Sequence, residues 1–203
     1  MTTAAPPRHF SMLRDFHIAD FITLANGLCG VAAIFQAMHF LATAQIGALY
    51  AAAILVPMAL VFDVLDGRVA RARGDASALG RELDSLADLL SFGVAPTAIA
   101  YAIGLSTVID QIFLGFFVLC GLSRLARYNV SVITSANPEG PVRYFEGTPI
   151  PTSILPLAIV LATFALGLPN SMRIGGAELH PQVLVFFISG CLMISKTIRI
   201  PKP

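Results

Sequence analysis

Six stretches of this 203-residue chain are almost wholly apolar: about 21–41, 45–65, 86–104, 107–124, 152–169 and 182–195. Their lengths suit α-helices crossing a hydrocarbon layer, which takes roughly 20 residues to span. Ahead of the first, residues 10, 13, 16 and 18 are apolar in Phe10-Ser-Met-Leu-Arg-Asp-Phe-His-Ile18. That pattern fits a short amphipathic helix lying on the membrane surface, and equally a polar tail. Pro57, Pro96 and Pro156 fall inside the spans and predict kinks or broken backbone hydrogen bonds beside a cavity. Gly27, Gly30 and Gly115 predict close helix–helix contacts. The expectation is an all-α integral membrane protein of six transmembrane helices, a single domain over 1–203 with an N-terminal segment at 1–20.

Composition strengthens this picture. Hydrophobic residues make up 56% of the chain and charged ones 12%, with a mean hydropathy of +0.78. No separate soluble domain fits beside six spans. The N-terminus lacks the charged-then-apolar order of a cleavable signal, so the first helix is expected to be retained. Cys29, Cys120 and Cys191 lie far apart in apolar stretches without metal-type or CxxC spacing, and read as packing residues.

Charge supplies orientation. With six spans, every one of the 13 basic residues except Arg173 falls on one side of the membrane. The positive-inside rule then turns both termini and the loop after the second span toward the cytoplasm, in a cell (inner) membrane. No nucleic-acid partner is expected.

Candidate chemistry gathers between residues 63 and 88: Asp63-Val-Leu-Asp66-Gly67-Arg-Val-Ala70-Arg71, then eight residues, then Gly80-Arg-Glu-Leu-Asp84-Ser-Leu-Ala-Asp88. A carboxylate near hydrocarbon costs about 2.5–3.5 kcal/mol on insertion scales, so acids there are functional candidates. Asp63 and Asp66 share one helical face, and Asp84 and Asp88 share another. If the two helices are neighbours, four carboxylates converge, and they stay ionised together only with cations among them. All-oxygen ligation favours Mg²⁺, Mn²⁺ or Ca²⁺. Gly67 and Ala70 leave bare helix surface, and Arg71, one turn on, can fork two phosphate oxygens. Metal, arginine and bare surface together describe a diphosphate site. The competing reading pairs the acids with Arg68, Arg71, Arg73 and Arg81 in a solvated loop.

The spacing D-x2-D-G-x2-A-R-x8-G-x3-D-x3-D, carried by Asp63, Asp66, Gly67, Ala70, Arg71, Gly80, Asp84 and Asp88, resembles the signature of the CDP-alcohol phosphotransferases, six-helix membrane enzymes. The resemblance implies a dinuclear Mg²⁺ or Mn²⁺ centre held by Asp63, Asp66, Asp84 and Asp88, with Asp88 also the general base. It implies that Gly67, Ala70, Arg71 and Ser77 contact the CDP group, and that Thr23 and Asn26, in a segment beginning at Asp20, lie over the nucleotide. It also implies a homodimer.

The acceptor is carried by other residues. Asp84-Ser-Leu-Ala-Asp-Leu-Leu-Ser-Phe-Gly-Val-Ala-Pro96, Leu125-Ala-Arg-Tyr-Asn129 and Phe145-Glu-Gly-Thr-Pro-Ile-Pro151 resemble the phosphatidylserine synthase branch, with Thr148 where that branch more often has leucine. That resemblance implies CDP-diacylglycerol and L-serine as substrates. Arg124, Arg127 and Arg143 could meet the serine carboxylate, and Glu82 or Glu146 its ammonium. Glycerol 3-phosphate or an inositol phosphate would want basic residues here too, so the residues alone leave the acceptor open. A cation transporter is an alternative of another class. It would want carboxylates deep in several spans, and none lies deep in spans four to six.

Overall fold

The computed structural model describes residues 17–73, 77–134, 144–168, 171–174, 177–195 and 199–201, without side chains at 73, 131–134, 144–146, 173–174, 177 and 199–201. Residues 10–16, which carry most of the amphipathic pattern, lie outside the described residues. The helices are α1 (Ile18–Thr43), α2 (Ile46–Arg73), α3 (Ala78–Asp88), α4 (Ala95–Ala102), α5 (Val108–Thr134), α6 (Ile154–Ala165) and α7 (Val183–Ile194). A π-helical turn at Leu89–Val94 joins α3 to α4, so Ala78–Ala102 is one rod long enough to cross a bilayer. A 3₁₀ turn at Ile150–Ser153 leads into α6. Among the described residues, four long apolar helices and two shorter ones give the expected count of six, and the chain is a multi-pass membrane protein.

Two three-residue ribbons complete the described elements. β1 (Tyr144–Glu146) pairs antiparallel with β4 (Arg199–Pro201), and β2 (Met172–Ile174) with β3 (Ala177–Leu179). β1 lies between α5 and α6 and β4 follows α7, whereas β2 and β3 form the connection between α6 and α7, where Arg173 sits at the end of the bundle away from the motif.

Three helix starts have a local cause. The backbone N–H of His17 donates to Asp20 Oδ2 at 2.7 Å, closing the first turn of α1. Ser77 caps α3, its Oγ accepting from the Gly80 N–H at 2.8 Å. Pro96 has no N–H to give the preceding turn, and the chain widens there: Ala95 N–H reaches back five residues to the Leu90 carbonyl. Pro57, by contrast, lies inside the continuous helix α2.

α1 is the hub. It packs along α2 and also against α3, the π turn and α4, while α5 packs against α7. Small residues set the closeness. A Cβ on Gly30 would lie 2.6 Å from Ser91 Oγ and 2.8 Å from Ser91 Cα, and one on Gly27 would lie 3.4 Å from the Ala87 Cβ. Gly115 differs from expectation: nothing lies within 4 Å of its Cβ position, so it faces outward. Gly30→Val should therefore drive α1 off the rod and lower the unfolding temperature in detergent, at a cost of about 1–3 kcal/mol from overpacking. Gly115→Val should leave that temperature within a degree or two; equal effects of the two would refute this account of the packing.

The core holds Phe92, Phe117, Phe186, Ile99, Leu105 and Ile150, all fully buried. Ile150 wedges between the π turn and α5, its Cδ1 only 2.9 Å from where a Cβ on Gly121 would be. Gly147, at φ +77°, docks against the end of α7, where a Cβ would overlap the Met193 carbonyl oxygen. Cys29 and Cys120 are buried, and none of the three cysteines is bonded. At the far end from the motif, Asp110 Oδ2 lies 2.6 Å from His180 Nδ1 and accepts from the Thr107 N–H and hydroxyl. This buried pair ties the start of α5 to the start of α7.

Candidate active site

Helical hydrogen bonding does not stop where hydrophobicity does. α2 continues to Arg73, well beyond its apolar stretch, and α3 begins at Ala78, ahead of its own. Both halves of the motif are therefore rigid helix, pressed against the N-terminal half of α1. One carboxylate oxygen from each of Asp63, Asp66 and Asp84 lies within 4.8 Å of the others. Asp66 is buried, and Asp63 and Asp84 are half-buried. Asp84 Oδ1 is enclosed with no hydrogen-bond partner. Among the described residues no arginine forms an ion pair with Asp63, Asp66, Asp84 or Asp88, so the pairing of the solvated-loop reading is not made by Arg68, Arg71 or Arg81; the Arg73 side chain lies outside the described residues.

Three unpaired carboxylates this close, one with an orphaned oxygen, fit a cation of the hard, oxygen-loving kind. Asp88 stands one turn further along α3 and is 7% exposed. It lies outside that three-residue group but within electrostatic reach of all three members. Its Oδ1 accepts a hydrogen bond from Asn26 Nδ2 at 3.1 Å. Thr23, one turn before Asn26, donates its hydroxyl to Asp66 Oδ2 at 2.6 Å.

Beside the carboxylates opens a cleft. α1 lines it with Ala19, Asp20 and Thr23, and α2 with Asp66, Gly67 and Ala70. Ser77, Gly80, Arg81 and Asp84 close it from the start of α3. A Cβ on Gly80 would lie 2.7 Å from Asp20 Oδ1 and 3.0 Å from Ser77 Oγ, so a side chain there would push both polar groups aside. Gly67 leaves open helix surface, with only the Arg71 guanidinium near its Cβ position, at 3.6 Å.

The expected residues are thus only partly gathered in one place. Gly67, Ala70, Ser77 and Thr23 line the cleft. Arg71 curls over Gly67 at the exposed rim, and Asn26 is fully buried behind the carboxylates. On the other flank of α3, Arg124 of α5 lies within electrostatic reach of Asp88, and its Nε is buried without a partner. Glu82 accepts from Asn129 Nδ2 at 3.3 Å, and Asn129 also exchanges hydrogen bonds with Ser85. Arg127 is half-buried on the same helix. Arg143 and the Glu146 side chain lie outside the described residues.

The sequence brings in Asp20, Arg81 and Asn129 only within resembling segments or as an ion-pair partner, and not among the expected site residues. The signal for Asp20 was available: Asp20, Thr23 and Asn26 recur every three residues on one face of an otherwise apolar helix. Arg81 occupies an unspecified motif position, and nothing in its spacing marks it.

Comparison with known proteins bears on what this arrangement does. The family model for CDP-alcohol phosphatidyltransferase matches residues 16–194. The chain is 47% identical over 206 aligned residues to the CDP-diacylglycerol–serine O-phosphatidyltransferase of Saccharomyces cerevisiae, covering 96% of this chain and 74% of that protein. It is 35% identical over 193 residues to the enzyme of the same name from Methanocaldococcus jannaschii, covering 95% and 78%. With the archaetidylserine synthase of Methanothermobacter thermautotrophicus it shares 37% identity over 158 residues, covering 76% and 63%.

Proposed function

This chain belongs to the CDP-alcohol phosphatidyltransferase family, and from that premise we propose that it transfers the phosphatidyl group of CDP-diacylglycerol to the hydroxyl of L-serine, releasing CMP. The observation that carries the reaction class is the convergence of Asp63, Asp66 and Asp84 beside a cleft floored by Gly67 and Ala70. The names of the similar relatives support serine as acceptor.

In this reading the cleft receives the CDP group, with Gly67 and Ala70 as its floor, Ser77, Thr23 and Arg81 as walls, and Arg71 at the rim over the diphosphate. Asp63, Asp66 and Asp84 hold divalent cations, and Asp88 completes the set from one turn away. When bound, two ions of Mg²⁺ or Mn²⁺ would neutralise the diphosphate and stabilise the departing CMP phosphate. Asp88 takes the proton of the serine hydroxyl as its oxygen bonds to the lipid-bearing phosphorus, and the bond from that phosphorus to the CMP oxygen breaks. Arg124, beside Asp88 with an unpartnered Nε, receives the serine carboxylate. Arg127 adds positive charge there and Glu82 faces the ammonium; Arg143 and Glu146 stay candidates for the same contacts on their sequence pattern alone. The motif end faces the cytoplasm, where serine is supplied and CMP is released.

The acceptor is tested by giving the purified protein CDP-diacylglycerol, Mn²⁺ and, in parallel, labelled serine, glycerol 3-phosphate or inositol phosphate. Phosphatidylserine should be the dominant lipid product. Product from another acceptor with none from serine would overturn the acceptor and leave the reaction class standing.

A further inference from the structure

We propose that Asn26 is a positioning residue for Asp88, holding one oxygen of that carboxylate so that the other is aimed at the acceptor hydroxyl; this rests on the reading of Asp88 as the base. Asn26 is fully buried, contributes nothing to the lining of the nucleotide cleft, and spends its amide N–H on Asp88 Oδ1 at 3.1 Å. Its own Oδ1 is enclosed without a partner. A residue serving packing alone would avoid that orphaned oxygen by being apolar, because an unsatisfied buried polar atom costs about 1–3 kcal/mol. Here the amide is retained for its donor.

The main chain around Asn26 is fixed to the rod that carries Asp88. The Asn26 carbonyl accepts the Ser91 hydroxyl at 2.9 Å. Gly27 and Gly30 let α1 close onto Ala87 and Ser91, the residues one before and three after Asp88. The donor therefore cannot drift relative to the carboxylate it holds. A neutral amide sets the direction of that carboxylate without adding a positive charge to compete for its proton-accepting role. Thr23 does the equivalent for Asp66 one turn earlier. α1 thus offers two donors three residues apart, one to each half of the aspartate motif.

The test uses the full-length protein in lipid vesicles, with Asn26→Leu (similar in size, without a donor) and Asn26→Ala. Loss of a group that orients a reacting residue typically costs ~10–100-fold in activity. That fall should appear in kcat, with KM for CDP-diacylglycerol within about twofold of wild type, a margin worth less than 1 kcal/mol. In an Asp88→Asn background, Asn26→Leu should cause no further loss of residual turnover, since two residues acting as a unit are not additive.

A raised KM with unchanged kcat would make Asn26 a nucleotide contact and overturn the inference. A lowered unfolding temperature with normal kcat per folded molecule would make it packing only, with the same consequence. If Asn26→Leu does not fold, the smaller Asn26→Ala carries the same readouts. The underlying reading fails separately: it falls if Asp88→Asn alone keeps its turnover, whereas an inactive Asp88→Asn beside a fully active Asn26→Leu sinks only the positioning role.

Discussion

Asp88→Asn should abolish phosphatidyl transfer while binding of the CDP-lipid survives. The substitution keeps the shape of the side chain and removes its ability to accept the hydroxyl proton, a function worth about 10²–10⁴-fold in rate. Asp88 is nearly enclosed and lies outside both the cleft lining and the three-aspartate group, and the amide oxygen of an asparagine there can still meet a cation, so the cleft walls and the Asp63–Asp66–Asp84 cluster stay in place. Binding is read by retention of labelled CDP-diacylglycerol on the purified variant, and transfer by release of CMP. Turnover near wild type would remove Asp88 from the proton-transfer step. Loss of lipid binding together with activity would instead make its role one of holding the site together.

The second large effect falls on the cluster itself. Asp66→Ala should lower Mn²⁺ affinity, read by the free-ion signal in electron paramagnetic resonance, and bring transfer to background. Asp66 is the buried member, shares its group with Asp63 and Asp84, and is held by Thr23. Charge stabilisation by a bound metal is worth several kcal/mol, and each 1.4 kcal/mol is tenfold, so the loss should exceed about 10³-fold. Asp63→Ala and Asp84→Ala should follow in the same direction. Glu82→Ala is the contrast: that carboxylate is exposed, engaged with Asn129 and outside the cluster, so Mn²⁺ affinity should be unchanged. A full loss of activity in Asp66→Ala with normal Mn²⁺ binding would show that the carboxylate serves some purpose other than holding the ion.

Much of this site was legible in sequence because its parts are local. The three- and four-residue spacings within Asp63/Asp66 and Asp84/Asp88 place each pair on one helical face, and a short connection makes the two helices neighbours. Helix ends were less legible. Hydropathy marks where hydrocarbon ends, and α2 runs on to Arg73 because backbone hydrogen bonds continue through the charged interface. The partner of Asn26 was not legible at all. It lies 62 residues away, and a residue's place on its own helix does not say which other helix that face meets. Gly115 makes the same point in reverse: a glycine in an apolar helix suits a close contact, yet this one faces outward. The His180–Asp110 pair, 70 residues apart, was hidden for the same reason.

Group transfer at the aspartate cluster is tested most directly on the wild-type protein. Purified wild-type protein in lipid vesicles, given CDP-diacylglycerol, serine and Mn²⁺, should form CMP and phosphatidylserine in equal amounts. Chelation should stop the reaction, and restored Mn²⁺ should restart it. Movement of cations across the vesicle wall with no CMP released under any of these conditions would contradict group transfer and make the carboxylates an ion path.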